Sequence, residues 1–445
     1  MDKYTATMTN GEAYLVALRE RGIEYIFGNG GTDFAPIIEG YVRAREAGRA
    51  LPELETVPHE NVAMAMAHGY YRVTGKMAAV MVHVTVGTAN ALLGLMNARR
   101  DNVPIFLAAG RSPATEMGHA GSRNALIHWA QEAFDQGGSV REYVKWDYEL
   151  RGGQPVYSVV ERALDIVMSE PRGPVYLTLP REVLGENAVS PIDPPRARPS
   201  GAMAPAPAAA AIAAAAEMIA AAEMHMIIAG EGGRTKEVFE LLGTFAEKFS
   251  IPVIQGRQSN LRRSNPMNLG APTRDLFEMA DLLLAIDAPV PYIPRVVKPS
   301  ANTKIIHIAH DPMFDGYPYR GFPMDLAVAG NPENALEMLG EALTARLAAK
   351  KATLDARRDR IVAIRHAIDE RRRAKISELA TVVPIQQPWV AHCVNAVKAR
   401  DAIVVNELGV PFDYLEFEEQ GCYFSGDAAG GLGSALGLSL GAKLA

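Results

Sequence analysis

Short apolar runs alternate with helix-like stretches along the first 187 residues, and this alternation restricts the fold more than any other feature. The runs are apolar at consecutive positions, so strands made from them would be covered on both faces. Strands of this kind, separated by helices, are typical of a parallel sheet with helices on both sides. The sequence therefore predicts an α/β fold of doubly wound parallel sheets. The predicted strands are 23–28, 77–84, 103–108 and 173–180, and the predicted helices are 11–21, 61–74 and 89–99.

The same pattern returns after a stretch rich in proline and alanine. We interpret 1–187 as the first domain, 188–210 as a linker, and 211–343 as a second α/β domain. The predicted helices of the second domain are 211–222 and 236–248, and its predicted strands are 225–230, 251–256, 281–287 and 304–310.

The remaining chain divides into a charged helix and a short α/β segment. Residues 344–381 predict a connecting helix, and its run Arg371–Arg373 is interpreted as part of a solvated face. A third α/β pattern covers 382–445, with a strand at 402–407 and a helix that begins near Gly433. About 60 residues are fewer than the roughly 100 usual for a doubly wound domain. We therefore predict that the third domain is incomplete.

Composition excludes several classes of protein and partner. With 48% hydrophobic and 22% charged residues, the chain is typical of folded globular proteins. A net charge of -6 gives no overall basic field for nucleic acid or an anionic membrane. Two cysteines, Cys393 and Cys422, favour a reducing compartment. Because the N-terminus has no signal-peptide pattern and Glu217 and Glu223 interrupt the alanine-rich run, we expect a cytoplasmic protein without a transmembrane helix.

Two polar residues stand where predicted elements begin or end. Glu60 comes directly before the helix 61–74, where the helix dipole and free N–H groups favour a carboxylate whatever its function. His83 lies in the apolar strand 77–84, so its side chain faces either the core or the mouth of the sheet. From the residues alone, both a structural and a functional role stay open for each.

Glycine-containing turns follow three predicted strands, at 28–33, 85–90 and 230–233. Such turns can present backbone N–H groups to a ligand, but the turn at 230–233 lacks the GxGxxG spacing of a dinucleotide site. The sequence contains no zinc-type ligand spacing, no GxSxG motif and no Walker A motif. These patterns indicate strand ends that could bind a ligand, without identifying the ligand.

Six longer motifs occur in order along the chain. They are FGNGGTDF (27–34), PHENVAMAMAHGYYRVTGK (58–76), VHVTVGTANALLGLMNARRDNVPIFLAAG (82–110), YVKWDYEL (143–150), GPVYLTLP (173–180) and CYFSGDAAGGLGSALGLSLGAKLA (422–445). Together they resemble thiamine diphosphate-dependent enzymes of the acetolactate synthase, benzoylformate decarboxylase and pyruvate oxidase superfamily. The resemblance extends over essentially all 445 residues.

This resemblance implies an architecture and an activity. It implies a pyrimidine-binding domain, a middle domain and a diphosphate-binding domain, with the active site between the first domain of one subunit and the third of another. A homodimer or homotetramer follows from that arrangement. The implied activity is that of a decarboxylase or carboligase acting on a small 2-oxo acid, which breaks or makes a C–C bond through a thiamine ylide and an enamine.

The resemblance also implies roles for four residues. Glu60 matches the glutamate that hydrogen-bonds the aminopyrimidine ring. His83 matches a benzoylformate decarboxylase histidine that transfers protons to the reaction intermediate. Thr32 matches a serine that contacts the substrate carboxylate, and Gln131 resembles an acetolactate synthase glutamine on the substrate side.

Other positions are implied to bind the cofactor. Gly430 matches the residue whose carbonyl accepts a hydrogen bond from the exocyclic amine, and Leu432 matches the apolar residue that holds the cofactor bent. The GDG…NN motif that binds magnesium and diphosphate would begin past Ala445, so Mg²⁺ is expected but no metal ligand is named. The implied cofactor-binding residues, besides Glu60, are Gly30, Gly31, Gly87, Asn90, Gly409, Gly430 and Leu432.

Three departures from the family pattern keep alternatives open. The sequence APVPYIP at 288–294 replaces the second catalytic histidine of benzoylformate decarboxylase, and Val410 replaces a polar residue beside the diphosphate. Ala309 stands where some relatives carry an acidic residue, and FAD binding stays undecided. One alternative is an acetolactate synthase-like transferase. The other is a non-catalytic fragment or a nucleotide-binding protein of the same fold.

Overall fold

A computed structural model of the chain describes residues 8–190, 198–231, 235–426 and 428–445. They form two compact units, one from the residues up to 203 together with 426–445, and one from 204–425. The helices are α1 (Asn10–Glu20), α2 (Ala35–Glu46), α3 (Glu60–Thr74), α4 (Val84–Arg100), α5 (Ile127–Ala130), α6 (Val156–Met168), α7 (Arg181–Gly185), α8 (Ala209–Ala221), α9 (Lys236–Phe249), α10 (Arg274–Met279), α11 (Pro332–Leu347), α12 (Lys351–Leu379), α13 (Gln387–Val397) and α14 (Ser434–Leu444). The strands are β1 (Tyr25–Asn29), β2 (Glu53–Thr56), β3 (Ala79–Val82), β4 (Phe106–Arg111), β5 (Asp147–Glu149), β6 (Val175–Pro180), β7 (His225–Ala229), β8 (Val253–Ile254), β9 (Asn268–Gly270), β10 (Leu282–Ile286), β11 (Lys304–Ala309), β12 (Leu326–Ala329), β13 (Val404–Val405) and β14 (Tyr423–Phe424).

The first unit is built on a six-stranded parallel sheet with the order β2-β1-β3-β4-β6-β5. Helices cover both faces, and consecutive residues of β3 enter different cores. Met81 packs in one core with Leu18 of α1 and Leu164 of α6. Val82 packs in the other with Leu95 of α4 and further residues of α3 and α4. This double burial explains why the central strands are apolar at every position.

Helix α14 packs closely on α3 because both helices carry small residues at the contact. A side chain at Gly69 of α3 would collide with the backbone carbonyl of Leu438, and one at Gly441 would collide with the carbonyl of Met66. Gly437 lies against Ala65 in the same way. Residues 426–445, predicted to belong to the third domain, are therefore found in the first unit.

The second unit contains another six-stranded parallel sheet, with the order β12-β11-β10-β7-β8-β9. Its core includes Ile227, Leu283 and Ile306 from the central strands, and Leu336 and Leu339 from α11. A separate two-stranded parallel sheet pairs β13 with β14. Helix α12 extends over 29 residues, with the two buried side chains Ile361 and Leu379, within the segment 344–381 for which one connecting helix was predicted. Residues 344–347 belong to α11 instead.

The predicted fold class, α/β with doubly wound parallel sheets, is confirmed. Parts of three sequence features lie outside the described residues: 191–197 of the linker, Gly232 and Gly233 of the third glycine turn, and Asp427 of the motif 422–445. Nowhere in the described ranges is a helix both long and apolar enough to cross a bilayer.

Candidate active site

The candidate site lies at the carboxyl ends of β1 and β3, which are neighbouring strands in the first sheet. Such an edge of a parallel sheet is where ligands commonly bind. After β1 the chain forms a short 3-10 turn, Thr32–Phe34, and after β3 it enters α4 directly at Val84. The predicted strand 77–84 is therefore too long, and the predicted turn around Gly87 is wrong, because Gly87 lies in the first turns of α4.

His83 is the cap residue between β3 and α4, and Asp33 holds its ring. The Nδ1 of His83 lies 2.5 Å from Oδ1 of Asp33. The other carboxylate oxygen, Oδ2, accepts a hydrogen bond from the backbone N–H of Val84 at 3.2 Å. Asp33 is almost completely buried, so its charge acts on the ring with little screening. The Asp33 hydrogen bond raises the pKa of His83, although partial burial of the ring opposes this shift.

Two glycines and one strained residue make room for this pair. A side chain at Gly31 would collide with the His83 ring, and a side chain at Gly110 would collide with the Asp33 carboxylate. Val84 has a positive φ of 32°, which a β-branched residue seldom adopts. Strain of this kind is concentrated at functional sites. The structure therefore places Gly31, predicted to bind cofactor, directly against His83.

Gln131 reaches the opposite side of the same ring. It follows the short helix α5, and its Nε2 lies 3.2 Å from Nε2 of His83. The hydroxyl of Thr85 donates to the Gln131 carbonyl at 3.0 Å, which anchors the segment to α4. With Nδ1–H donated to Asp33, the neutral ring accepts the amide hydrogen of Gln131 at Nε2. The structure thus brings the predicted residues His83 and Gln131 together.

Ion pairs hold the segment that carries Gln131. Glu132 accepts from Arg111 at 2.9 Å and from Arg123 at 2.8 Å. Arg111 also lies 3.3 Å from Glu149 on β5. These contacts fix the segment to β4 and β5, in addition to its anchor on α4.

Glu60 is the first residue of α3, and the residue is buried, with 6% of its surface exposed. Asn90 of α4 donates to Glu60 Oε2 at 3.0 Å. A Cβ at Gly87 would lie 3.0 Å from the Cβ of Val82 and 3.4 Å from Glu60 Oε1, so glycine lets α4 approach both. The predicted residues Glu60, Gly87 and Asn90 therefore share one site, and Asn90 lies on the helix that His83 caps.

Thr32 contacts a histidine that the sequence analysis missed. Thr32 is exposed, and its Oγ1 lies 3.4 Å from Nε2 of His128, which is buried at 2% exposure. Burial, with the nearby cations Arg181 and Arg123, lowers the pKa of His128. The sequence signal was the position of His128 three residues before Gln131, which puts both on one turn. Asp33 was also missed, although it lies inside the glycine motif 27–34.

Gly30, in the glycine turn after β1, lies beside the ring of Phe34. A Cβ at position 30 would lie 3.3 Å from Cδ1 of that ring. Gly30 is exposed, so its backbone is open to a ligand at the carboxyl end of β1.

Asn97 of α4 holds the segment that contains Gly430 and Leu432. Its Nδ2 donates to the carbonyl of Gly431 at 2.9 Å, and its Oδ1 accepts from the N–H groups of Ala429 and Gly431, each at 3.2 Å. Gly430 adopts a left-handed φ of 74°, and the Leu432 side chain is 53% exposed. The two predicted residues therefore lie in the first unit, next to the helix that carries Asn90.

Gly409 belongs to the second unit, whereas the other predicted cofactor-binding residues belong to the first. Its φ of 102° requires glycine. A Cβ there would lie 3.6 Å from Nε2 of Gln387. Across the described ranges, no three histidine, cysteine, aspartate or glutamate side chains are grouped as a metal site.

Comparison with known proteins gives concordant family matches. Residues 8–138 match the model of the N-terminal TPP binding domain of thiamine pyrophosphate enzymes, and residues 212–339 match the model of their central domain. The large subunit of acetolactate synthase from Haemophilus influenzae is 26% identical over 354 residues, 74% of this chain and 57% of that protein. Benzoylformate decarboxylase from Pseudomonas aeruginosa is 26% identical over 447 residues, 96% of this chain and 77% of that protein.

The fold has a close counterpart among solved structures. Benzoylformate decarboxylase from Polynucleobacter necessarius superposes with a TM-score of 0.76 and 18% sequence identity, over 98% of this chain and 78% of that chain. At this identity the likeness concerns the fold alone. The chain spans just over half of the Haemophilus relative and about three quarters of the Pseudomonas relative.

Proposed function

Because this chain belongs to the thiamine pyrophosphate enzymes, we propose that it acts as a thiamine diphosphate-dependent 2-oxo acid decarboxylase or carboligase. One observation carries the proposal. A buried carboxylate, Glu60, and a carboxylate-bound histidine, His83, occupy one site and are linked by helix α4. A buried acid and a histidine of raised pKa are a pair suited to proton transfer near neutral pH.

The surroundings of Glu60 fit an aminopyrimidine ring. Asn90 donates to Oε2, whereas Oε1 faces Gly87, a position without a side chain. A buried carboxylate beside an open backbone position can share a proton with a ring nitrogen. When bound, thiamine diphosphate would supply a nucleophilic carbon and an electron sink for the departing CO₂. We assign to cofactor binding Gly30, Gly31, Glu60, Gly87, Asn90, Gly409, Gly430 and Leu432.

The chain's own residues would handle the protons and the substrate. Glu60 would exchange a proton with the pyrimidine end of the site. His83 keeps Nδ1–H on Asp33 and so presents Nε2 as the atom that accepts or releases a proton. Thr32 lies on the turn after β1, and Gln131 lies on the segment after α5. We assign both to binding the carboxylate and carbonyl of a 2-oxo acid.

The second candidate is an acetolactate synthase-like transferase, and the Gln131 contact favours it. The side-chain amide nitrogen of Gln131 lies 3.2 Å from Nε2 of His83 and can donate a hydrogen bond to it. A ring whose Nε2 accepts a hydrogen bond is a poorer proton donor, so a second 2-oxo acid would have longer to capture the acyl unit. We also propose Mg²⁺ as the diphosphate counterion and a homodimer or homotetramer as the assembly.

The proposal is tested on the full chain with thiamine diphosphate and Mg²⁺. We expect magnesium-dependent binding by calorimetry and CO₂ release from pyruvate or benzoylformate. An aldehyde product identifies a decarboxylase, and a 2-hydroxy-2-methyl-3-oxo acid formed from pyruvate identifies the transferase. Glu60→Gln should lower turnover by about 100-fold or more, as loss of general acid–base catalysis does. Glu333→Gln, at the first turn of α11, is the matched control and should leave turnover unchanged.

Absence of both cofactor binding and CO₂ release would overturn the proposal. The non-catalytic reading of the fold would then take its place. The intact mass, measured on the same sample, shows whether the protein tested is the 48.0 kDa chain.

A further inference from the structure

His128 is fixed in one tautomer by its two hydrogen bonds. The backbone N–H of Asn124 donates to Nδ1 of His128 at 3.1 Å. A nitrogen that accepts a backbone N–H carries no proton itself, so the proton of the neutral ring is on Nε2. Nε2 lies 3.4 Å from Oγ1 of Thr32, somewhat longer than the roughly 2.7–3.2 Å usual for an N–H···O hydrogen bond. The neutral ring therefore donates to the threonine hydroxyl.

The environment of His128 keeps this ring neutral. Burial lowers its pKa, and the cations Arg181 and Arg123 and the ring of His83 act in the same direction, whereas Glu182 opposes them. Arg181 is held in place because it donates to the carbonyls of Gly121, at 2.5 Å, and Ser122, at 2.6 Å. Protonation would put another cation into this buried cluster.

The direction of this hydrogen bond decides what Thr32 can do. A hydroxyl has one hydrogen to donate and two lone pairs that accept. With one lone pair engaged by His128, the hydroxyl hydrogen of Thr32 is left to point away from the ring. Thr32 is exposed, and its neighbour Asp33 holds His83, so the free hydrogen is presented at the site edge. A carboxylate, which only accepts hydrogen bonds, is the group that such a donor selects.

We infer that His128 is a positioning residue, which makes the Thr32 hydroxyl a hydrogen-bond donor to the carboxylate of the 2-oxo acid substrate. The inference rests on the proposed function for its substrate class. It assigns His128 a task in substrate selection that is separate from proton transfer by His83. The imidazole acts through Thr32 and does not itself touch the substrate.

The tautomer is tested without any turnover. Nitrogen NMR spectra of the full chain, with ¹⁵N in its 10 histidines, are recorded at pH 7. Comparison of wild type with His128→Gln assigns the His128 signal. We expect a protonated Nε2 and an unprotonated Nδ1 for His128. The opposite tautomer, or an imidazolium at pH 7, would overturn the inference.

The task of His128 is tested by separating KM from kcat with benzoylformate or pyruvate. Because a hydrogen bond to a charged group is lost, His128→Phe and Thr32→Val should each raise KM by about tenfold. kcat should change by less than about twofold, and Thr32→Ser, which keeps the hydroxyl, should behave like wild type. His119→Gln removes an exposed imidazole on the same segment and is the matched control.

The double variant Thr32→Val/His128→Phe decides whether the two residues act as one unit. We expect the same KM as for each single variant, because both changes remove one hydrogen bond. Independent, multiplying effects would overturn the inference, and so would a loss confined to kcat.

The failure of this inference can be distinguished from failure of the proposed function. If wild type neither binds thiamine diphosphate nor releases CO₂ from a 2-oxo acid, the proposed function fails. Binding of benzoylformate, followed by NMR titration of the same labelled sample, then decides the inference. Equal affinity of wild type and Thr32→Val for this carboxylate would overturn it.

Discussion

The Asp33 carboxylate lies 2.5 Å from Nδ1 of His83, although the two residues are 50 positions apart in the chain. The sheet creates this contact, because β1 and β3 are hydrogen-bonded neighbours that end at the same edge. The same carboxylate accepts the N–H of Val84, so it fixes both the ring and the start of α4. The pair thus sets the tautomer, the orientation and the charge of the central histidine.

Replacing Asp33 with Asn should lower the pKa of His83. The amide oxygen can still accept the Nδ1–H hydrogen bond, but the negative charge that stabilises the imidazolium is lost. The measurement is an NMR titration of the His83 ring between pH 5 and 9, with Asp135→Asn, an exposed aspartate paired with Arg141, as control. An unchanged His83 titration in Asp33→Asn would contradict the structure.

The same pair should make stability depend on pH above the unfolded-state pKa of histidine, about 6.5. Because the folded-state pKa of His83 is raised, its stabilising contribution is fully present below the unfolded-state value of about 6.5. The contribution is lost as the pH rises through the folded-state pKa. We therefore expect the free energy of unfolding of wild type, relative to His83→Gln, to decrease from pH 6 to pH 9. Denaturant titrations at several pH values measure it, and a difference that is constant or grows with pH would refute the assignment.

Gly31→Ala should displace the His83 ring. The new methyl group would overlap the ring, and overpacking of this kind destabilises by roughly 1–3 kcal/mol. We expect a lower free energy of unfolding and an altered His83 NMR signal. Gly185→Ala is the matched control, because no atom lies within 4 Å of the added Cβ. Wild-type stability and an unshifted His83 signal in Gly31→Ala would show that the ring is placed differently.

Gly69→Ala should loosen α14 from α3. The added methyl group meets the backbone carbonyl of Leu438, which cannot move without moving the helix. We expect faster amide hydrogen exchange in 434–444 than in wild type. Gly340→Ala on α11, where the nearest atom would be at 3.9 Å, is the control. Equal exchange in wild type and Gly69→Ala would mean that α14 does not depend on this contact.

Much of the sheet architecture could be predicted from the sequence, and the strands that were missed share one property. The missed strands β2, β5, β9, β12 and β14 all stand at the edges of their sheets. Edge strands are not covered on all sides, so they need no continuous apolar run, and β2 (ELET) is largely exposed. Central strands such as β3 and β10 have every residue buried, and the apolar pattern found them.

The site was predicted where a motif carries the residue, and missed where the fold creates the contact. Glu60, His83 and Gln131 stand in sequence motifs. His128 matters because the short helix α5 brings it to Thr32. Gly31 is required because the ring of His83, which follows β3, occupies the space of a side chain there. Contacts between distant segments depend on the sheet order, which a single sequence does not specify.

Asn97→Ala should weaken cofactor binding through the segment 429–431. Asn97 makes three hydrogen bonds to the backbone of this segment, and their loss leaves buried groups of Gly431 unpaired, which costs about 1–3 kcal/mol each. The left-handed Gly430 and the exposed Leu432 would then lose their fixed position. Calorimetry with thiamine diphosphate and Mg²⁺ should give an affinity reduced by about tenfold or more. Asn334→Ala on α11 is the control. If Asn97→Ala keeps the wild-type affinity but loses stability, the segment has a structural role and the proposed cofactor role is contradicted.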